Sequence, residues 1–410
     1  MKWVVFFSVF GLLLFSCDQN ADNFIDENPP QLRTLTAEEE LLIESSNTFV
    51  FELFNEINEQ ESYENFFFSP LSVQYALAMT LNGSNHDTFD AIKDVLNNDE
   101  LNETEINESY KTLTAFLLGI DNTVLLKIAN SVWYREDLSV KEAFKNAIEN
   151  YYDAGIIGLD FSNPAAKDEI NGWVAEKTED LIKDLIDQIP SGVVMYLINA
   201  IYFKAEWQYK FDKDLTDKGP FILEDGSQIQ TDMMQTKGAK IRYFRNDMLR
   251  LIDIPYGNGQ FSMCILIPTF KHSLSDIIFS INESNFSLWL DSSDTATAKI
   301  YMPKFKIDYK TLLNDVLSNM GMAIAFTDAA DFSRLFEEPL DLFISRVIHQ
   351  AVIEVNEEGS EAAAATAVEI METSLPPEPE NITINEPFIF FIREKHSSSI
   401  LFAGKLMDPS

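Results

Sequence analysis

Glu354–Pro377, EVNEEGSEAAAATAVEIMETSLPP, is the stretch whose reading decides the fold. It continues a strand-like run, Val347–Val355. It then passes through Glu357, Glu358 and Gly359 into a tract of small residues and ends at Pro376-Pro377. Local propensity favours a short helix over Glu361–Glu372, because Ala and Glu rank high as helix formers. A period of two reads differently. Ser360, Ala362, Ala364, Thr366, Val368 and Ile370 are uncharged, while Glu361 and Glu369 fall on odd positions. Alternate residues of a strand face opposite sides, so the even set could be buried with both charges left in water. The small residues at its start would let the segment slide between existing strands. An Ala-rich surface helix and an insertable central strand both fit the pattern.

The run Glu357-Glu358-Gly359-Ser360-Glu361, followed by Ala362, Ala363, Ala364, Ala365, Thr366 and Ala367, resembles the reactive-loop hinge of the serpins, the serine protease inhibitor family. Further matches follow the same order along the chain. They are NFFFSPLS at 65–72, INGWVAEKT at 170–178, NAIYFKAEW at 199–207, MPKFKI at 302–307, LSNMGMAIAFTDAADFS at 317–333, PFIFFIR at 387–393 and ILFAGK at 400–405. The resemblance spans about 37–409. One local departure is Glu179-Asp180-Leu181, where the family usually has a Gly-Lys-Ile turn. The resemblance implies an α+β fold with three β-sheets, surrounding helices and an exposed reactive-centre loop at about 357–377, all in one domain over 37–410.

Read as bare residues, several of these motifs have plain structural meanings. The apolar stripe Leu41, Leu42, Phe49, Val50, Leu53, Phe54, Ile57 predicts a first helix over 37–60. Ser69 can cap a second helix with Pro70 in its first turn, where a missing N–H costs nothing. The runs 123–134 and 302–307 read as strands, 139–152 as a helix and 387–405 as a hairpin. Asn199 opens a buried strand and must be hydrogen-bonded. His349 is its expected partner, and a lone His on an apolar strand is by itself a satisfied core residue. The resemblance adds roles. Ser69, Ser72, Asn199 and His349 form the shutter, a polar cluster under the main sheet. Lys304 pairs with Glu357 beside Trp207 at the breach, where the loop meets the top of that sheet. An exposed Lys304–Glu357 pair would contribute little stability.

Hydrophobic residues make up 46% of the 410, which is globular composition with ample material for a core. Sixty-six acidic against 30 basic residues give a formal charge of −36. That excess argues against nucleic acid or an anionic membrane surface as partner, since both require a basic patch. Residues 1–16 read as an export signal, with Lys2 ahead of an apolar run from Trp3 to Phe15. Cys17 then sits where a bacterial lipobox would place its lipidated cysteine, the other reading being an ordinary secretory signal. Residues 17–36 read as a polar, disordered tether. The chain is thus expected to be exported and lipid-anchored to a bacterial membrane or cell surface. The second cysteine, Cys264, lies in the apolar run FSMCILIP and reads as a buried hydrophobe, so no disulfide is expected.

No G-x-S-x-G, H-E-x-x-H, GxxxxGK[ST] or Cys/His metal spacing occurs. No enzymatic activity, metal or cofactor is expected. The helix expected over 101–118 carries Glu103, Glu105 and Glu108 against Lys111. In some serpins the corresponding helix is basic and binds sulfated polysaccharide. Here the sign is wrong, and no heparin activation is expected.

The resemblance implies suicide inhibition. A protease cleaves the loop and forms an acyl-enzyme. The freed arm then inserts into the main sheet and traps it. Counting sixteen positions from Glu357 puts the scissile bond at Thr373–Ser374, with Met371 and Glu372 as alternatives. Thr or Met suits an elastase- or subtilisin-like serine protease, with a cysteine protease as the other class, and a monomeric inhibitor is expected. The alternative is a non-inhibitory serpin, a cleavable substrate or binding protein at the surface.

Overall fold

The computed structural model describes residues 30–360 and 380–410. Cys17, Glu361 to Thr366, Met371, Glu372, Thr373 and Ser374 lie outside the described residues. The chain begins with α1 (Ala37–Gln60), β1 (Phe66–Phe68), α2 (Pro70–Gly83), α3 (His86–Val95) and α4 (Glu103–Gly119). Then come β2 (Leu125–Arg135), α5 (Glu142–Tyr152), β3 (Gly155–Leu159), α6 (Ala165–Lys177) and β4 (Met195–Glu206). A run of strands follows, β5 (Asp217–Ile222), β6 (Gln228–Gln235), β7 (Ala239–Arg245), β8 (Leu249–Pro255) and β9 (Phe261–Pro268). Helices α7 (Leu274–Ser280) and α8 (Glu283–Asp291) lead into β10 (Asp294–Pro303), β11 (Phe305–Leu312), α9 (Asn314–Leu317) and β12 (Ile348–Val355). The two-residue β13 (Gly359–Ser360) follows, and β14 (Glu380–Thr383), β15 (Phe388–Glu394) and β16 (Ile400–Leu406) complete the chain.

One sheet has the order β11-β12-β13-β4-β2-β3. The other described strands form a second hydrogen-bonded network, divided at β10. Asp294–Ala298 of β10 pairs with β7, and Tyr301–Pro303 pairs with β6. The network therefore holds two strand groups joined through β10, which with the first sheet makes the expected three. Helix α2 is buried on nearly every side, and its buried Gln74, Thr80 and Asn82 donate to the carbonyls of Ser46, Ala76 and Ala78. Ser69 caps it, accepting from Ser72 N at 3.1 Å. Behind it, Phe67 stacks between Phe390 and Phe402 at ring distances of 5.9 and 5.2 Å.

Two expectations need correction. The run 302–307 is not one strand. Pro303 lacks an N–H to extend the ladder, so β10 ends there and β11 starts at Phe305 in the other sheet. This leaves Lys304 at the junction of two sheets. Residues 31–36, expected within a disordered tether, are docked. Gln31 N donates to Ile120 O at 3.3 Å. Arg33 donates to both carboxylate oxygens of Glu39 and to Thr112 O. Its guanidinium lies 5.1 Å from the Phe116 ring centre. Thr36 and Glu39 close a reciprocal capping box at the start of α1. At the departure noted above, Glu179 (φ 50) and Asp180 (φ 64) both adopt the left-handed conformation that favours glycine.

Candidate functional site

The hinge residues Glu357, Glu358, Gly359 and Ser360 are held where β12 and β4 diverge. Trp207, 2% exposed, follows β4 and stacks on Tyr256 with ring centres 4.2 Å apart. Its backbone N donates to Glu358 O at 2.8 Å and its indole N–H to Asn356 O at 2.9 Å. Lys304 Nζ lies 3.0 Å from Glu357 Oε2, and Thr216 donates to Oε1 at 2.8 Å. Only the lysine half of the pair is open to water, the Glu357 side chain being 8% accessible against 37% for Lys304. Burial pushes its carboxyl up, but the backbone, Lys304 and Thr216 hydrogen bonds outweigh it and leave the carboxyl below its usual range. Glu358 is held ionised by Lys213 and Lys210, at 2.6 and 2.9 Å.

Gly359 passes so close to β4 that a Cβ there would lie 2.0 Å from Ala205 O. Only glycine fits this approach. Ser360 is 2% exposed and turns inward, its Oγ 2.6 Å from Tyr256 OH. It pairs with Val355 on one side and Ala205 on the other. Among the described residues no ladder pair joins β4 directly to β12. Below Ser360 their edges face a cleft with a cavity volume of about 260 Å³, lined by Val73 and Ala76 from α2, Ile201 and Phe203 from β4, and Ala351 and Ile353 from β12.

The shutter residues lie along this cleft, but their bonds differ from expectation. Asn199 does not pair with His349. Its Nδ2 donates to Asn130 Oδ1 at 2.8 Å, directly across the β2–β4 ladder. His349 Nε2 instead accepts from the backbone N of Ser69 at 3.1 Å. The two are on strands separated by the cleft, which is why they do not meet. Ser72 Oγ donates to Asn199 O at 3.3 Å. Ser69 Oγ donates to Leu401 O at 2.8 Å. The Ser69 hydroxyl is thus aimed at a carbonyl, and His349 receives a backbone N–H. They do not form a nucleophile and base. Burial also holds His349 neutral, with its pKa pushed down to about 4.

Sequence reasoning missed Asn130, Tyr256, Lys210, Lys213 and Thr216. Asn130 had a signal, being a single amide in a buried strand run just as Asn199 is. The others carried none, because their roles depend on where separate elements meet.

The family profile described as "Serpin (serine protease inhibitor)" matches residues 44–409. A serpin-like protein of Methanosarcina acetivorans is 34% identical over 375 residues, covering 89% of this chain and 87% of that protein. The leukocyte elastase inhibitor of Sus scrofa is 33% identical over 381 residues, covering 90% and 100%. The native-state structure of the thermophilic serpin tengpin superimposes with a TM-score of 0.82 at 29% identity, covering 93% of this chain and 97% of tengpin. The structure titled cleaved serpin 42Da also gives 0.82, at 27% identity with 91% and 100% coverage. Together with the hinge and the strand order, these matches show that the chain belongs to the serpin family.

Proposed function

We propose that the chain inhibits a serine protease as a suicide substrate, trapping the acyl-enzyme by inserting its cleaved loop between β4 and β12. The carrying observation is β13. Gly359 and Ser360 already pair antiparallel to both neighbours, and the cleft continues below them. Extending that register would put Ala362 opposite Phe203 and Ile353, Ala364 opposite Ile201 and Ala351, and Thr366 opposite Asn199 and His349. Ser360 points inward, so the even positions would follow it inward and the odd glutamates would stay in water. Insertion completes a sheet in which, among the described residues, no ladder pair joins β4 to β12 below Ser360, and this gain drives the switch. The relative named leukocyte elastase inhibitor supports an elastase-like target class.

In this reading Thr373–Ser374 is the reactive bond, with Met371 and Glu372 as alternatives. No Lys or Arg lies between 357 and 380, which disfavours a trypsin-like target. The inhibitor acts as a monomer without heparin, and Cys17 carries a lipid that holds it at a bacterial surface.

The test is incubation with elastase, subtilisin, trypsin and a Glu-specific protease, followed by denaturing gels and mass measurement of the released peptide. A covalent complex with release of residues 374–410 is expected. Cleavage by every protease with no complex, and no gain in heat stability, would establish the non-inhibitory alternative.

A further inference from the structure

We propose that Asn130 is a positioning residue for loop insertion, and that a chain of hydrogen bonds, Asn199–Asn130–Tyr152–Asn107–Asn82, which passes through the backbone carbonyl and the phenol of Tyr152, ties the opening of the cleft to the packing of α5, α4 and α2. The inference depends on the insertion reading for its purpose but is measured independently of protease inhibition.

The chain runs without a break. Asn199 Nδ2 donates to Asn130 Oδ1 at 2.8 Å. Asn130, 5% exposed, donates through Nδ2 to the backbone O of Tyr152 at 2.7 Å. Tyr152 is the last residue of α5, where carbonyls lack helical partners, and Asp153 after it turns left-handed at φ 48. Tyr152 OH donates to Asn107 Oδ1 at 2.6 Å. Asn107 and Asn82 then exchange two amide bonds of 2.8 and 3.0 Å between α4 and α2.

Each link dictates the orientation of the next. A carbonyl only accepts, so Asn130 must offer its NH₂ to Tyr152 O. Its Oδ1 must then face Asn199, and Asn199 must answer with its NH₂. Among the described residues Asn199 Oδ1 is left as a buried acceptor without a partner, on a residue that lines the cleft. The amide at the cleft edge is therefore oriented from α5, and four links separate it from Asn82 of α2.

In this proposal the cleft opens as β4, carrying β2 and β3 by their ladders, moves away from β12 across the helices behind the sheet. The Asn130–Tyr152 bond crosses that plane of movement, joining the sheet to the end of α5. Tyr152 OH then passes the restraint to α4 and α2. Breaking the tie releases the moving half of the sheet.

The experiment follows uptake of a fluorescein-labelled synthetic peptide, residues 360–373 (SEAAAATAVEIMET), by the intact full-length protein. Asn130→Ala removes the sheet-to-helix link. Tyr152→Phe removes only the phenol bond, leaving the ring, the carbonyl and Asn130 in place. Tyr75→Phe is the control. It breaks the Tyr75–Thr114 bond in the same tyrosine group but lies off the chain. Uptake is expected to be about tenfold faster for Asn130→Ala and about threefold faster for Tyr152→Phe, the scale of one buried hydrogen bond. The double variant should be no faster than Asn130→Ala alone. Tyr75→Phe should keep the wild-type rate. Tyr152→Phe at the wild-type rate, or Tyr75→Phe accelerated equally, overturns the chain and leaves only a packing role. Should Asn130→Ala not fold, the two tyrosine variants decide alone. Peptide uptake by the wild type without a covalent protease complex would sink inhibition and leave this inference standing. Failure of the wild type to take up peptide overturns both.

Discussion

Gly359 and Ser360 are the two residues on which the proposed insertion turns. At the first, a Cβ would lie 2.0 Å from Ala205 O, which forbids any side chain, and the second is buried against Tyr256 OH. Ser360→Arg would force a guanidinium into the buried slot that Ser360 fills against Tyr256. We expect this variant to be cleaved at an undiminished rate while its covalent complex is lost, which gel densitometry against total cleavage would read. Survival of the complex would mean that insertion does not start at Ser360. His349 makes a separate prediction. Its pKa falls from an ordinary 6.5 to about 4 because it is buried. Between those values the unfolded chain binds more protons than the folded one, so stability rises with pH across that window and is lost as pH falls. The full loss below pH 4 amounts to about 3 kcal/mol. Denaturant midpoints of wild type and His349→Gln, compared from pH 4 to 7, should converge as the pH drops. A constant gap between them would show that His349 is not held neutral in the folded protein.

At the scale of elements, most identities were readable from pattern, and pairings were not. The α1 stripe and the α2 cap place both helices where sequence expects them, because periodicity and capping are local. The break at Pro303 was also local in cause, yet the sequence reading ran through it. What it missed was that the next strand belongs to another sheet. Helix α4 gives an element-level prediction. Glu103 is bound by Arg334, Glu105 closes the Asn102 cap, and Lys111 lies 5.7 Å from the Tyr151 ring centre. No basic stripe results. The protein should pass unretained over heparin at physiological ionic strength, and protease association should be unchanged by added heparin. Salt-sensitive retention would overturn this. The docked segment 31–36 was illegible for the opposite reason. Its composition is that of a tether, and only Glu39, Thr112 and Phe116, supplied by two helices, give Arg33 its place.

For the whole molecule the charge is unevenly divided. Residues 204–310, which build β5 to β10, carry fourteen basic and fourteen acidic side chains, so the −36 excess lies entirely outside them. A strongly anionic body should speed association with a basic protease at low salt. We expect the association rate to fall by about tenfold between 20 and 200 mM salt for a cationic target and to rise for an anionic one. A rate independent of salt for both would show that the loop pole, not the body, governs encounter. The sequence by itself determined the family, the α+β layering, the glycine hinge and the alternation that suits Ser360–Ile370 to insertion. These rest on side-chain type and spacing, which are properties of the chain. Only the tertiary structure decided that Asn199 bonds Asn130 and not His349, that Glu357 is buried on Lys304 and Thr216, and that Tyr256 receives Ser360. Each of these depends on which strand edges are brought together and which are held apart, and hydrogen-bond partners 53 to 141 residues distant leave no mark on local spacing.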